Sequence, residues 1–233
     1  MKVDGLSVFF PAYNEEANIG KILRRAVKIL PQMAKKWEIL VINDGSTDRT
    51  GKIVEELIKK EPRIRMITHT PNRGYGATLK SGLYNSLYQL ILFTDADGQF
   101  DFSEAERFLK AQSETKADLV IGYYLKRAVP FYRIWASRAW EMVIFLMFGL
   151  KVRDIDCGFK LLRKEVVEKI SRLQSERGPF ISSELLIKAK KAGFKIVELG
   201  VHHYPRKEGR ATGASLRVGL SGFWELVKLK EKL

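Results

Sequence analysis

The chain has 233 residues, 45% of them hydrophobic, enough for one large domain or two small ones around a substantial core. Its single cysteine, Cys157, excludes an intrachain disulfide framework and a thiolate zinc cluster. A formal charge of +14 points to an anionic partner. With no dense basic run and no interleaved aromatic RNA-binding motif, lipid and phosphate rank above nucleic acid.

Residues 6–10 have the length and apolar character of a buried strand, which Pro11 is expected to end. From Glu15 to Leu30, the residues Ile19, Ile22, Leu23, Ala26, Val27 and Leu30 recur at helical spacing. Residues 37–43 read as a second strand and 44–47 as a turn. Asp48 is placed to cap a helix reaching Lys60, with Ile53, Val54, Leu57 and Ile58 on its buried face. Residues 64–68 form a third strand. A loop punctuated by Gly74 and Gly76 leads into a helix over 77–88, and 89–93 is a fourth strand. Ser103 with Glu106 has the pattern of a capping box for a helix to Ser113. Residues 119–122 complete a fifth strand. This alternation predicts an α/β domain with a mostly parallel central sheet and helices on both faces.

Beyond residue 130 the pattern is less regular. Residues 131–148 read as one unusually aromatic helix, 158–162 as a short strand, and 182–192 as a helix capped by Ser182 or Ser183. Residues 194–201 are a last strand. The expected division is one domain over 1–213 and a basic amphipathic helix over 214–233. No repeat of 20–50 residues is visible, which argues against a solenoid. The first five residues carry no signal-peptide pattern. The longest strongly apolar stretch, 142–150, is far short of the roughly 20 residues that span a bilayer.

Polar clusters follow the first, second and fourth strands: residues 11–15, 44–46 and 95–99. Ligands of open parallel sheets bind at the carboxyl ends of the strands, so the three clusters are expected to meet in one crevice. Asp95 and Asp97, with the Gln99 amide nearby, suit a hard divalent cation that keeps water and phosphate oxygens as its other ligands. The chain has no G-x-G-x-x-G after the first strand and no G-x-x-x-x-G-K-[ST], which disfavours a Rossmann dehydrogenase and a P-loop NTPase. The 95–98 segment lacks the later ligands of an EF-hand. The Gly74-x-Gly76 loop offers backbone amides at a helix start, where phosphate binds well. His69, His202 and His203 lack a zinc-type ligand set, and the adjacent pair points to opposite faces of a strand, so structural roles are expected.

Pro11-Ala12-Tyr13-Asn14-Glu15-Glu16, Val41-Ile42-Asn43-Asp44-Gly45-Ser46-Thr47-Asp48 and Thr94-Asp95-Ala96-Asp97-Gly98-Gln99 resemble the three N-terminal signatures of family 2 glycosyltransferases, which have the GT-A fold. Asp156-Cys157-Gly158-Phe159-Lys160 resembles the polyprenyl-phosphate branch, which includes dolichyl-phosphate mannosyl- and glucosyltransferases. The resemblance runs from about residue 5 to 215. It implies a nucleotide-sugar site at Pro11, Ala12, Tyr13, Glu15, Asp44, Asp95 and Asp97, with Asp95, Asp97 and Gln99 holding Mg²⁺ or Mn²⁺ against the donor diphosphate. It implies an acceptor-phosphate site at Arg133, Ser137 and Arg206, joined by Arg127 and Arg210, and a catalytic set of Asp97, Asp156, Arg133 and Arg206. The family often has an Arg directly after the Gly that ends the fifth strand. Here Tyr123-Tyr124 follows Gly122, and Arg127 is the substitute.

The implied reaction moves a hexose, with inversion, from a GDP- or UDP-sugar to a polyprenyl phosphate. An ionised phosphate acceptor needs no strong protein base, only orientation by Arg133, Arg206 or Arg210. A soluble hydroxyl acceptor is the alternative and would need a carboxylate base, Asp156 or Glu184; a basic, non-catalytic membrane module is the other. Trp135, Trp140, Phe145 and Phe148 beside Arg133 and Arg138 suit a helix lying at headgroup depth, as do Trp224, Leu226, Val227 and Leu229 beside Lys228, Lys230 and Lys232. Packing on the protein, a homodimer face or a membrane-anchoring partner would use the same residues. The expected location is cytoplasmic, peripheral on the inner face of the cell or ER membrane, with an anionic membrane surface and no nucleic acid as partner.

Overall fold

The structure, a computed structural model, describes residues 2–126, 131–206, 208 and 216–232, without the side chains of 131–133 and 216–221. In chain order it has β1 (Val3–Ala12), α1 (Ile19–Met33), β2 (Ala34–Asn43), α2 (Thr50–Ile58), β3 (Ile64–Thr68), α3 (Tyr75–Asn85) and β4 (Leu90–Phe93). A 3₁₀ turn (Phe102–Glu104) then leads to α4 (Ala105–Thr115), β5 (Leu119–Tyr124), α5 (Phe131–Phe148), β6 (Lys160–Arg163), α6 (Lys164–Lys169), α7 (Phe180–Lys191), β7 (Ile196–Val201) and α8 (Leu216–Lys232).

Among the described residues the strands form one seven-stranded sheet in the order β3-β2-β1-β4-β6-β5-β7. The pairs β3/β2, β2/β1, β1/β4 and β5/β7 are parallel, while β6 runs antiparallel between β4 and β5. Both faces of these strands are apolar because successive side chains point to opposite sides. Leu6, Val8 and Phe10 of β1 meet Leu23, Ala26 and Leu30 of α1, Val54 of α2 and Phe108 of α4 in one core layer. Phe9, Leu40, Ile91 and Phe93 face the other way, onto Leu79 and Leu83 of α3, Leu185 of α7, Ile144 of α5 and Leu226 of α8. Phe9 and Phe93 stack with centroids 5.0 Å apart. Gly82 lets α3 lie directly on Phe9, since an added Cβ would fall 2.3 Å from the ring.

The α/β architecture with helices on both faces is as the strand and helix patterns predict, and several local expectations are corrected. Pro11 does not end β1. The Phe9 carbonyl faces β4, whose pairing stops there, so Pro11 two residues on turns its missing N–H to a vacated side. Helix α1 begins at Ile19, because residues 15–18 form a turn closed on the Glu15 carbonyl. Helix α3 stops at Asn85: the N–H groups of Leu87 and Tyr88 go to Glu38 Oε1 and Ser7 Oγ instead. Ser103 is no cap; its N–H and hydroxyl both donate to Asp101 Oδ1, and Asp101 is the capping residue. Ser182 and Ser183 lie inside α7 and are buried, and the helix starts at Phe180 after Pro179. The short strand expected over 158–162 is β6, though its antiparallel sense was not foreseen, and the short α6 carries no periodic signal long enough to have been read.

The order β2-β1-β4 sets three carboxyl ends side by side. The loops after these three strands therefore leave the sheet together, as the polar clusters require.

Candidate active site

The first two loops are stitched to each other. Asn14, at φ 56°, receives Thr47 N–H on its Oδ1 at 2.8 Å and gives its own N–H to Ser46 Oγ at 3.0 Å. Glu15 N–H donates to Thr50 Oγ1, Glu16 N–H to Asp48 Oδ2, and Arg49 N–H to Glu16 Oε2. Asp48 also takes the Thr50 N–H in the first turn of α2, so it caps that helix from one residue further out than a standard cap. These exchanges satisfy loop backbone that strands and helices cannot reach.

Asp44 is buried and organises the third loop. Its Oδ1 accepts Arg73 N–H at 2.9 Å and lies 2.7 Å from His69 Nδ1, while Oδ2 accepts Gly74 N–H at 2.8 Å. Asn72 Nδ2 donates to the Asp44 carbonyl, and His69 Nε2 lies 2.9 Å from Ser81 Oγ. Asp44 thus holds the Gly-punctuated loop at the start of α3, and His69 has the structural role expected. Pro11 and Ala12 are buried, whereas Tyr13 is exposed at the mouth of these loops.

The acidic loop leaves β4 beside them. Asp95 Oδ1 accepts the Tyr75 hydroxyl at 3.1 Å, and Tyr75 follows Gly74 directly, so Asp44 and Asp95 are joined through two adjacent residues, the N-cap and first residue of α3. On its other side Asp95 abuts Gly158, where an ideal Cβ would stand only 2.1 Å from Oδ2. Burial, with the Asp97 charge added to it, pushes the Asp95 carboxyl up to about 7, against the Lys160 ammonium, which favours ionisation. Lys160 is itself buried and donates to the carbonyls of Ile155 and Cys157. The Asp156–Lys160 motif therefore acts on the acidic loop through Gly158 and Lys160. A cavity of about 560 Å³ lies against this loop, lined by Asp95, Asp97 and Thr94 on one side and by Lys21 and Arg25 of α1 on the other.

The segment after β7 closes over the acidic loop. Gln99 and Tyr204 are tied twice, Tyr204 N–H to the Gln99 carbonyl at 2.8 Å and Gln99 Nε2 to the Tyr204 carbonyl at 2.9 Å. Arg206 bridges two of the predicted site residues, donating to Glu15 Oε1 and standing 3.9 Å from Asp97 Oδ2. Glu15 is thus an anchor for Arg206, and burial raises its pKa despite that partner. His203 packs between the Phe100 and Tyr124 rings, while His202 pairs with Glu104, consistent with opposite orientations of the two.

Two carboxylates one residue apart, one of them destabilised by the other, fit a divalent cation that draws its remaining ligands from water and phosphate. Among the described residues no cluster of three or more His, Cys, Asp or Glu side chains converges on one point. Gln99 donates its amide nitrogen to Tyr204, and since an amide binds a cation through its oxygen, that bond leaves Gln99 in the donor set with Asp95 and Asp97.

On the acceptor side, Arg127 and Arg210 lie outside the described residues, as does the side chain of Arg133. Ser137 is half-buried on α5 and Asp156 is exposed, close enough to Tyr75 and Tyr124 for its charge to act on both. Where the family's Arg is expected after Gly122, the guanidinium of Arg153 lies 4.6 Å above the Tyr123 ring. Arg153 and Arg138 line a cavity of about 450 Å³ with Tyr123 and Tyr124. Sequence reasoning missed Arg153, 29 positions away from Tyr124 in the chain. Glu184 is no candidate base: it is buried, paired with Lys188 at 2.7 Å, and accepts the N–H groups of Gln174 and Ser175.

The aromatic helices divide. Trp140 packs on Phe180 and donates to Ser183 Oγ, and Leu226 and Leu229 are buried, so these are core residues. Trp135, Met142, Phe145 and Leu146 of α5 and Phe223 and Trp224 of α8 are exposed. No described helix is long and apolar enough to cross a membrane.

Residues 7–171 match the family model described as Glycosyl transferase family 2. A dolichyl-phosphate beta-glucosyltransferase of Dictyostelium discoideum is 33% identical over 84% of this chain and 65% of its own. The polyprenol monophosphomannose synthase of Mycolicibacterium smegmatis is 31% identical over 90% of this chain and 82% of its own. Glucosyl-3-phosphoglycerate synthase of Mycobacterium tuberculosis superposes with a TM-score of 0.70 at 17% identity, covering 98% of this chain and 81% of that one. That last likeness shows the fold. The chain belongs to glycosyl transferase family 2 and has the GT-A fold. It spans 64–65% of the length of the dolichyl-phosphate glucosyltransferases from Trichomonas vaginalis and D. discoideum that it matches.

Proposed function

We propose that the protein is an inverting glycosyltransferase that moves a hexose from a nucleotide-diphosphate sugar to a polyprenyl phosphate. The observation that carries this reading is the pair Asp95 and Asp97 at the carboxyl end of β4, with Arg206 across from Asp97 and the stitched β1 and β2 loops alongside. Similarity to glycosyltransferases acting on dolichyl and polyprenyl phosphates supports the acceptor class.

Asp95 and Asp97, with Gln99, would hold Mg²⁺ or Mn²⁺, which would supply Lewis-acid neutralisation of the charge on a departing diphosphate. Tyr13, Glu15 and Asp44 border the donor's nucleoside, with Pro11 and Ala12 as the floor beneath it. Arg206 adds a fixed positive charge at the phosphates. On the acceptor side, Arg133, Ser137, Arg127 and Arg210 bind and aim a phosphate that is already ionised near neutral pH. Orientation then replaces a general base. Asp156, exposed beside Tyr75, contacts the sugar or acceptor. The exposed aromatic residues of α5 and α8 lie against an anionic membrane surface, where a +14 chain is attracted and the acceptor resides.

Sugar release from UDP-glucose and GDP-mannose onto a short-chain polyprenyl phosphate in anionic vesicles, with Mn²⁺ or Mg²⁺, tests this. Transfer that needs both lipid phosphate and cation, and is lost in Asp97→Ala, is expected. Equal transfer by Asp97→Ala, or transfer to a soluble hydroxyl acceptor alone, overturns it.

A further inference from the structure

We propose that Tyr75 is a positioning residue for the acidic pair, its hydroxyl fixing Asp95 in the orientation that a cation requires. The proposal rests on the donor-site reading above and names a residue that the family signatures do not contain.

The first turn of α3 has no room to move. Gly74, at φ 93°, gives its N–H to Asp44 Oδ2, and a Cβ there would lie 2.7 Å from Arg177 Cα. At Gly76 a Cβ would lie 2.7 Å from the Ser175 carbonyl, and Ala77 N–H donates to the Glu176 carbonyl at 2.7 Å. The segment carrying Ser175 is in turn held by the buried Glu184, which accepts the N–H groups of Gln174 and Ser175. Tyr75 is therefore clamped from the Asp44 side and from the 174–177 side.

From this fixed base the phenol reaches Asp95 Oδ1 at 3.1 Å, while Gly158 blocks the Oδ2 side. Asp95 is gripped between a donor and a wall. Removing the hydroxyl frees the carboxylate to rotate away from Asp97, and the cation then pays for ordering it again.

The competing explanation is that Tyr75 serves only through its ring, which packs beside the second core layer. Two variants separate the two. Tyr75→Phe keeps the ring and loses the hydroxyl; Tyr75→Leu loses both. The readouts are the melting temperature without metal and the Mn²⁺ concentration at half-stabilisation in the presence of UDP or GDP, checked by loss of the free Mn²⁺ paramagnetic resonance signal. The expected result is that Tyr75→Phe and Tyr75→Leu both raise the Mn²⁺ midpoint by about tenfold, the worth of one hydrogen bond to a charged group. Rescue of Tyr75→Leu by the aromatic ring alone, with Tyr75→Phe titrating like the wild type, overturns the proposal. If the wild-type protein binds no Mn²⁺ with either nucleotide, the donor-site reading falls and the proposal falls with it.

Discussion

Gly158→Ala is the sharpest test of how the acidic loop is built. The added methyl would stand 2.1 Å from Asp95 Oδ2 and 2.7 Å from its Cγ, where real contacts essentially never fall below 3.0 Å. The carboxylate must therefore shift by about 1 Å, an overpacking strain worth about 1–3 kcal/mol. It has nowhere convenient to go, because Oδ1 is held by Tyr75 and the nearby Asp97 charge repels it. A displacement of about 1 Å at a group that positions the reacting centre lowers turnover by about a hundredfold. Urea unfolding monitored by tryptophan fluorescence gives the stability change. Sugar transfer by the folded variant at saturating donor gives the catalytic one. A variant with wild-type stability and wild-type turnover would show that Asp95 does not sit against this glycine, and the account of the site would fail.

Glu184→Gln breaks a buried ion pair and should cost about 3–5 kcal/mol, which for a chain of this size lowers the melting temperature by about 6–20 °C, with kcat of the folded fraction falling by far less than the drop of about a hundredfold that loss of a general base brings. Loss of turnover without loss of stability would restore Glu184 as a base. Without a cation, the raised Asp95 pKa disfavours the folded state as pH rises from its unfolded value near 4 through about 7, so its stabilising contribution is complete below the former and gone above the latter. Adding Mn²⁺ should strengthen with pH across the same window, as cation and proton compete for one carboxylate. A Mn²⁺ midpoint independent of pH between 6 and 8 would contradict this. Trp224→Ser and Leu146→Ser, at exposed positions of α8 and α5, should each weaken sedimentation with anionic vesicles while leaving the melting temperature within about 2 °C, as surface changes usually do. Unchanged vesicle binding in both variants would remove these faces from the membrane contact.

Much of the architecture was legible before any tertiary information, because strand and helix periods are local properties. Apolar runs placed β1 to β5, and helical spacing placed α1 and α2. The meeting of the β1, β2 and β4 loops followed from one rule about open parallel sheets. The failures have two causes. For Pro11 and the end of α3 the decisive partner was distant in sequence, a strand that stops and a glutamate that captures an N–H, whereas Ser103 and Ser182 lost their capping roles to near neighbours, Asp101 and Pro179.

The chain by itself determined the class of fold, the acidic pair and the family, since these depend on residue type at short spacing. Only the tertiary structure decided which atoms those residues meet. It set Tyr75 and Gly158 on either side of Asp95, gave Glu15 to Arg206, brought Arg153 over Tyr123 and withdrew Glu184 into an ion pair. Hydrogen bonds and charge contacts act over a few ångströms in space, and residues tens or hundreds of positions apart become neighbours only once the sheet has ordered its strands.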